Sequence, residues 1–279
     1  MVKSFDRQEV YLMYKAVVSD LDGTLLNGSH EIDDFTKETV SAVINKGIKF
    51  YIATGRSYSG AKAIMDKLGL KIPLITSNGA RIMDEEGKEI YINNLEKKYS
   101  DSILDIDYKK KGESIVLNVY SGNDWYVTED RREFYMKINP KRTFFPEVTT
   151  LEDLKTKEFT KIFFLGEHDE LLELEKEIEE VTKGEVNIAF VLEHCLEIFS
   201  KESDKSNAAK FLLEKDGLTL EDSVAFGDGC NDYDLLKKAG KGFVMGNAFY
   251  RLKESLPENE TVESNVDNGV AKKLVELFL

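Results

Sequence analysis

Two aspartates one residue apart, Asp20 and Asp22, close the apolar run that begins at Val17, and Gly23 and Thr24 follow them directly. An aspartate is ordinarily ionised at neutral pH, so it can attack phosphorus without a partner base and carry an aspartyl-phosphate. A second carboxyl two residues on, where glycine lets the chain turn, can give a proton to a departing alcohol and then take one from water. Asp20 is therefore the candidate nucleophile and Asp22 the candidate acid and base. A pattern of this length arises by chance in only about one in several hundred chains of this size. The stretch Gly227-Asp228-Gly229-Cys230-Asn231-Asp232 forms a second acidic cluster. Carboxylates crowded against a phosphate dianion repel by roughly 4 kcal/mol per pair at about 4 Å and an effective dielectric near 20. A cation is needed, and magnesium, which takes one or two carboxylates plus waters and phosphate oxygens, suits the task. Asp228 is the expected ligand, with Asp232 close behind. A calcium loop would require alternating acidic ligands through twelve residues ending in Glu, which this stretch lacks.

The elements that would position these groups follow from periodicity. "KAVVSD" reads as a strand. "DFTKETVSAVINKG" reads as a helix with Phe35, Thr39, Val40, Val43 and Ile44 on its apolar side, and "IKFYIATG" as the next strand. "SYSGAKAIMDKLG" places Ala61, Ile64, Met65 and Leu68 on one helical side, before a third strand in "IPLITSNG". Strand, helix, strand implies a parallel sheet. The last 80 or so residues resume the rhythm. Between about Asp84 and Glu193 the strands alternate and a charged helix, "HDELLELEKEIEEVT", appears, as in an antiparallel sheet with helices on one face. The expected fold is α/β: a Rossmann-like doubly wound parallel sheet interrupted by an inserted α+β domain. The expected parts are core residues 1–83, insertion 84–194 and core 195–279, with 1–12 as an extension because Met13 makes a natural start. Asp20, Thr54, Asn78, Asp228 and Asn247 each fall at the C-terminal end of a core strand, the edge where open parallel sheets bind ligands. Singly, such residues mark turns. Five together point at one crevice.

Composition narrows the partners. Lys and Arg total 38 against 52 Asp and Glu, a formal net charge of -14, which argues against nucleic acid or an anionic membrane as partner. Cys195 and Cys230 lie far apart and suggest neither a disulfide framework nor zinc, so a cytoplasmic location is expected. The N-terminal segment lacks an apolar signal core, and no run reaches the roughly 18 apolar residues of a membrane span. His30, His168 and His194 are scattered and are set aside as nucleophile or zinc ligands. Cys230 is read as a small apolar filler, Trp125 as core of the insertion, and Lys137, Lys141 and Arg142 as a solvated loop.

The set "DLDGTLL", "ATGR" (53–56), "SNGA" (77–80), Lys205 in "SDKSNAAKFLL", "GDGCND" and "MGNA" (245–248) resembles the haloacid dehalogenase-like superfamily, specifically its Cof-type phosphatases with a large inserted cap. The ending "ETVESNVDNGVAKKLVELF" is similar to that subfamily's C-terminus. The resemblance implies a magnesium-dependent phosphatase acting through an aspartyl-phosphate on a small phosphorylated metabolite of sugar-phosphate-like character. It implies Asp20 as nucleophile, Asp22 as acid and base, and Lys205 as the cation beside the attacking carboxylate. Leu21, Thr54, Gly55, Arg56, Asn78 and Asn231 would bind substrate. Magnesium would sit on Asp20, the backbone carbonyl of Asp22, and Asp228, supported by Asp232. The chain would act as a monomer or weak homodimer. Ser206 stands where the family often has Gly, and Tyr233 and Leu235 where it has an aliphatic residue and Met, changes of packing more than of chemistry. A phosphosugar mutase could use the same aspartates, but no arginine-rich motif like that of phosphomannomutases is present. A phospho-acceptor signalling module would need neither Asp22 nor the insertion.

Overall fold

The computed structural model describes residues 13–138 and 144–279. The 1–12 extension and the loop residues Lys141 and Arg142 lie outside the described residues. The chain forms two compact units: the residues up to Ile92 together with Ser203–Leu279, and the insertion Asn93–Glu202.

The first unit begins with strand β1 (Ala16–Ser19), every residue of which is buried. A strand covered on both faces reads as a near-continuous apolar run rather than an alternating one, as "AVV" does before Ser19. Helix α1 (Asp34–Asn45) starts where the Asp33 carboxylate accepts the Thr36 N–H at 2.8 Å. Its inward face is Thr36, Thr39, Val40 and Val43. Phe35, expected on that face, is exposed, because it sits about 100° around the helix from Thr36. Strand β2 (Lys49–Ala53) leads to α2 (Tyr58–Leu68), which buries Ala61, Met65 and Leu68 as expected and ends on Gly69 at φ 70°. Strands β3 (Leu74–Thr76), β4 (Arg81–Met83) and β5 (Glu89–Ile92) complete this segment.

The insertion carries helix α3 (Lys97–Leu104), strands β6 (Val116–Ser121), β7 (Asp124–Val127), β8 (Glu147–Val148) and β9 (Lys161–Leu165), helix α4 (His168–Thr182), and strands β10 (Val186–Leu192) and β11 (Cys195–Ser200). They form one sheet in the order β10-β11-β9-β6-β7-β8, antiparallel except for the β7–β8 pair. One face, with Leu117, Val119, Ile162, Phe164, Leu196 and Ile198, shares a core with Ile103 and Leu104 of α3 and Leu171, Leu174 and Ile178 of α4. On the other face Asn118 Oδ1 accepts from Trp125 Nε1 at 3.1 Å and from the Tyr135 hydroxyl at 2.7 Å, so Trp125 is core of the insertion as expected. The expected boundaries at 84 and 195 move to 93 and 203. The turn at Asp84–Lys88 is the tip of a hairpin whose second strand, β5, still pairs with β4, whereas β11 pairs with β9 and β10.

Helix α5 (Lys205–Lys215), strands β12 (Ser223–Gly227), β13 (Lys241–Val244) and β14 (Glu260–Thr261), and the helices Tyr233–Lys238, Tyr250–Ser255 and Gly269–Phe278 complete the first unit. Its sheet runs β14-β13-β12-β1-β2-β3-β4-β5, parallel from β14 to β3 and antiparallel in the β4–β5 hairpin. Chain order moves outward from β1 in both directions, which makes the C-terminal end of β1 the topological switch point, the place where doubly wound sheets open a crevice. Among the described residues, no helix is long and apolar enough to cross a membrane.

Phe226 on β12 is fully buried and stacks on Phe243 of β13 with ring centroids 5.0 Å apart. Phe226→Ala is expected to cost about 3–5 kcal/mol, read as a lower urea midpoint by far-ultraviolet circular dichroism at unchanged slope. A loss under about 1 kcal/mol would show that neighbouring side chains fill the gap.

Candidate functional site

The Asp20 N–H donates to the Phe226 carbonyl at 3.0 Å, carrying the β1–β12 ladder one residue past the strand and fixing where the Asp20 side chain leaves the sheet. The chain then makes a wide turn closed by Leu26 N–H on the Leu21 carbonyl at 2.9 Å. Gly23 stands in that turn at φ 73°, and a Cβ there would lie 2.3 Å from an Asp228 carboxylate oxygen, so only glycine lets the two acidic loops meet. Asn247 holds the turn from outside, its Nδ2 donating to the Gly23 carbonyl at 2.7 Å. It is a brace rather than a ligand-facing group. Leu21 is fully buried in the core, which leaves its side chain no route to a substrate.

Three carboxylates converge. Asp20, Asp228 and Asp232 each offer an oxygen within 4.8 Å of the others. Thr24 Oγ1 donates to Asp228 Oδ1 at 2.8 Å. Asp232 is fully buried, with one oxygen on the N–H groups of Asp228 (3.1 Å) and Gly229 (2.9 Å). Lys205, the first residue of α5, buries its whole side chain and sets Nζ 2.5 Å from Asp20 and 2.6 Å from Asp232. The helix start that aims it is capped by Asp204, which accepts from the N–H groups of Ser206 (2.7 Å) and Asn207 (2.9 Å).

Three carboxylates against one ammonium leave two negative charges uncompensated. Burial pushes the Asp20 carboxyl well above the usual range; Lys205 opposes that rise, and the Asp232 and Asp228 charges add to it. Burial likewise lifts Asp228 to about 6, against the Thr24 hydrogen bond and with help from the Asp232 charge. Lys205 is held above its ordinary value: burial disfavours its charge, but Asp20 and Asp232 outweigh burial. Asp20 therefore does not owe its ionisation to the ordinary aspartate value, as the sequence suggested, but to positive charge supplied nearby. An all-oxygen set of hard donors with excess negative charge fits a divalent cation such as magnesium.

Asp22 points elsewhere. Its two oxygens accept from Arg56 Nε and Nη2, both at 2.6 Å, and His30 Nδ1 lies 3.7 Å away. Its carboxylate is not one of the three that cluster. Arg56, expected to bind substrate, is engaged by Asp22. The resemblance carries no sign of this pairing, and His30, set aside in the sequence because the three histidines are scattered, stands beside it. A tight loop delivers it, with Asn27 Oδ1 accepting from Ser29 and Glu31 N–H groups and His30 at φ 57°.

The remaining polar residues form a wall. Thr54 is buried, its Oγ1 accepting from the Arg56 N–H at 3.1 Å, which leaves the hydroxyl hydrogen to donate. Asn78, at φ 55°, takes the Asn231 Nδ2 on its Oδ1 at 2.9 Å, and Gly55 approaches that same oxygen so closely that a Cβ would stand 3.0 Å away. Gly79, at φ 96°, lies against the Asp204 carbonyl, where a Cβ would come within 2.2 Å, so this turn buttresses the start of α5 and with it Lys205. Cys230, expected as an apolar filler, is exposed, because its short turn is held by Asp232 and faces outward. Cys195 is the buried thiol, its pKa pushed up to about 12 chiefly by burial.

A doubly wound sheet with aspartates at its switch point and a lysine between them is the arrangement of a haloacid dehalogenase-like hydrolase, and the family model of that description matches residues 17–274. The chain belongs to this family and is a phosphatase of it. It is 38% identical over 270 residues to a putative phosphatase of Buchnera aphidicola subsp. Baizongia pistaciae, covering 95% of this chain and 99% of that one. It is 30% identical over 262 residues to the HMP-PP phosphatase of Yersinia pseudotuberculosis, covering 94% of each. A solved haloacid dehalogenase-like hydrolase from Bacteroides thetaiotaomicron superposes with a TM-score of 0.81 at 26% identity, over 95% of this chain and all of that one.

A carboxyl whose folded pKa is raised favours the fold while protonated, so its contribution is complete below the unfolded value and is lost as pH climbs through the folded one. For Asp228 that window runs from about 4 to about 6. In chelator at pH 7, Asp228→Asn should therefore melt higher than the parent, by about 2–4 °C for each kcal/mol of repulsion relieved, with the gap closing below pH 5. Magnesium should raise the parent's melting temperature and leave the variant's unchanged. A variant that melts lower than the parent at pH 7 in chelator would show that Asp228 stabilises the metal-free site.

Proposed function

We propose that this chain is a magnesium-dependent phosphatase that hydrolyses a small phosphorylated metabolite, sugar-phosphate-like in character, in the cytoplasm through an aspartyl-phosphate on Asp20. The observation that carries this reading is the buried Lys205 ammonium held between Asp20 and Asp232 in a cluster that still has two negative charges to spare. A purely structural ion pair would need one carboxylate, not three.

In the first half-reaction an Asp20 oxygen attacks phosphorus, the phosphorus–oxygen bond of the ester breaks, and the departing oxygen takes a proton from Asp22, which enters the step protonated on one oxygen while the other stays on Arg56. In the second, Asp22 takes a proton from water as its oxygen attacks the phosphoryl group. The bond to Asp20 breaks, inorganic phosphate leaves, and both aspartates return to their starting states. Lys205 favours the ionised Asp20 and fixes its direction. Thr54 offers its hydroxyl hydrogen to a phosphoryl oxygen, and Asn78 and Asn231 hold the wall behind it. Asp20, Asp228 and the Asp22 carbonyl would hold magnesium, which neutralises the crowded charge and orients the phosphoryl group when bound. Asp232, with its oxygens already taken by Lys205 and two N–H groups, holds the set together from behind. The phosphatase names of the relatives support a phosphoester substrate.

Phosphate release from a panel of phosphorylated metabolites tests the reading. Turnover should appear with magnesium, vanish in excess EDTA and return on re-addition. Asp20→Asn should lose at least about 10³-fold, the scale on which removing a nucleophile acts. Undiminished turnover in EDTA, or isomerisation of a phosphosugar without free phosphate, would contradict it.

A further inference from the structure

We infer that Arg56 is a positioning residue for Asp22 rather than a substrate-binding one, an inference that rests on the phosphatase reading above. Arg56 spends its guanidinium on the protein itself. Nε and Nη2 meet the two Asp22 oxygens at 2.6 Å each, and Nη1 donates to the Gly60 carbonyl at 3.3 Å, in the first turn of α2. Its backbone N–H is fixed on Thr54 Oγ1, so the arginine is braced at both ends. Two parallel N–H donors on one carboxylate set its rotation as well as its position, which a single point charge cannot do.

Asp22 needs such a clamp. It lies in the turn opened by Gly23, at φ -80° and ψ 126°, where both residues leave helical geometry, and its side chain is 37% exposed. No helix or strand packing dictates its rotamer there, and an acid acts only within hydrogen-bond reach of the departing oxygen. The clamp adds little to stability, since half-exposed ion pairs contribute little. Its value is geometric: losing it leaves the nucleophile and the phosphate wall intact while letting the acid wander. Arg56 then acts on the proton-transfer step through Asp22, and its removal mimics removal of Asp22 itself.

The experiment compares the parent with Arg56→Ala, Arg56→Lys, Asp22→Ala and the Asp22→Ala/Arg56→Ala double variant on p-nitrophenyl phosphate and on phenyl phosphate. These esters are alike in shape but unlike in how much the leaving oxygen needs a proton. Melting temperatures and inhibition by inorganic phosphate are measured alongside. In single turnover, where leaving-group release reports the first half-reaction alone, Arg56→Ala should slow phenol release from phenyl phosphate by about 10–100-fold, within the range an acid catalyst supplies, while p-nitrophenol release changes by less than about threefold; the second half-reaction, in which Asp22 is the base, should slow equally for both esters. Inhibition of Arg56→Ala by phosphate should stay within about twofold, the double variant should be no slower than Asp22→Ala, and Arg56→Lys should fall between parent and Arg56→Ala. Equal losses in single-turnover release of the two phenols, a tenfold or greater weakening of phosphate inhibition, or losses that multiply in the double variant would overturn the inference and return Arg56 to the phosphate. If Arg56→Ala melts too low to assay, the same comparisons on Arg56→Lys decide between these outcomes. A parent chain that hydrolyses neither ester would instead remove the phosphatase reading itself.

Discussion

The site depends on one buried ammonium. Taking the Lys205 charge out of water costs several kcal/mol, and only close partners on both sides make the burial tolerable. Those partners come from distant parts of the chain, 185 and 27 residues away, so one contact ties the end of β1, the start of α5 and the 228–232 loop together. Stability alone would be served by a matched pair. The third carboxylate, Asp228, is raised to about 6 by its surroundings, a cost that the fold bears at the switch point of its sheet. Strain of this kind concentrates where chemistry is done, because groups arranged for a ligand are poorly arranged for one another without it.

The supporting shell shows the same division. Ser77, Asn78 and Gly79 follow one another at φ 51°, 55° and 96°, a left-handed run that costs energy at the two non-glycine positions. It persists because the Ser77 and Asn78 N–H groups are held by the carbonyls of Arg56 and Thr54 while Gly79 rests on the cap of α5. The run thus links the C-terminal end of β2 to the helix that aims Lys205. In the insertion, another buried pair, Lys161 and Glu197 at 2.5 Å, lies among the rings of Tyr120 and Phe163.

Much of this was legible in the chain. The core strands are covered on both faces and so appear as short apolar runs, and each ends on a polar residue because the C-terminal edge is where the sheet opens. Asp20, Asp228, Asp232 and Lys205 could be named because residue type and spacing carry their chemistry. What could not be read was pairing across the fold. Asp22 and Arg56 are 34 residues apart, and nothing local says that the arginine of "ATGR" turns toward a carboxylate instead of a ligand. His30 lies beside Asp22 only because Asn27 folds its loop. The insertion boundaries moved for a related reason: the turn signal at Asp84–Lys88 is genuine, but hairpin tip and domain boundary share the same residues, and only strand partners distinguish them.

The central claim is that Lys205 leaves the carboxylate cluster short of positive charge and that a divalent cation completes it. Anomalous scattering from crystals of the chain grown with manganese in place of magnesium tests this most directly. The account predicts a single strong peak bonded at about 2.1 Å to carboxylate oxygens of both Asp20 and Asp228, with Lys205 still on Asp20 and Asp232. A peak that avoids Asp20, or a cation that takes the place of the Lys205 ammonium, would contradict it.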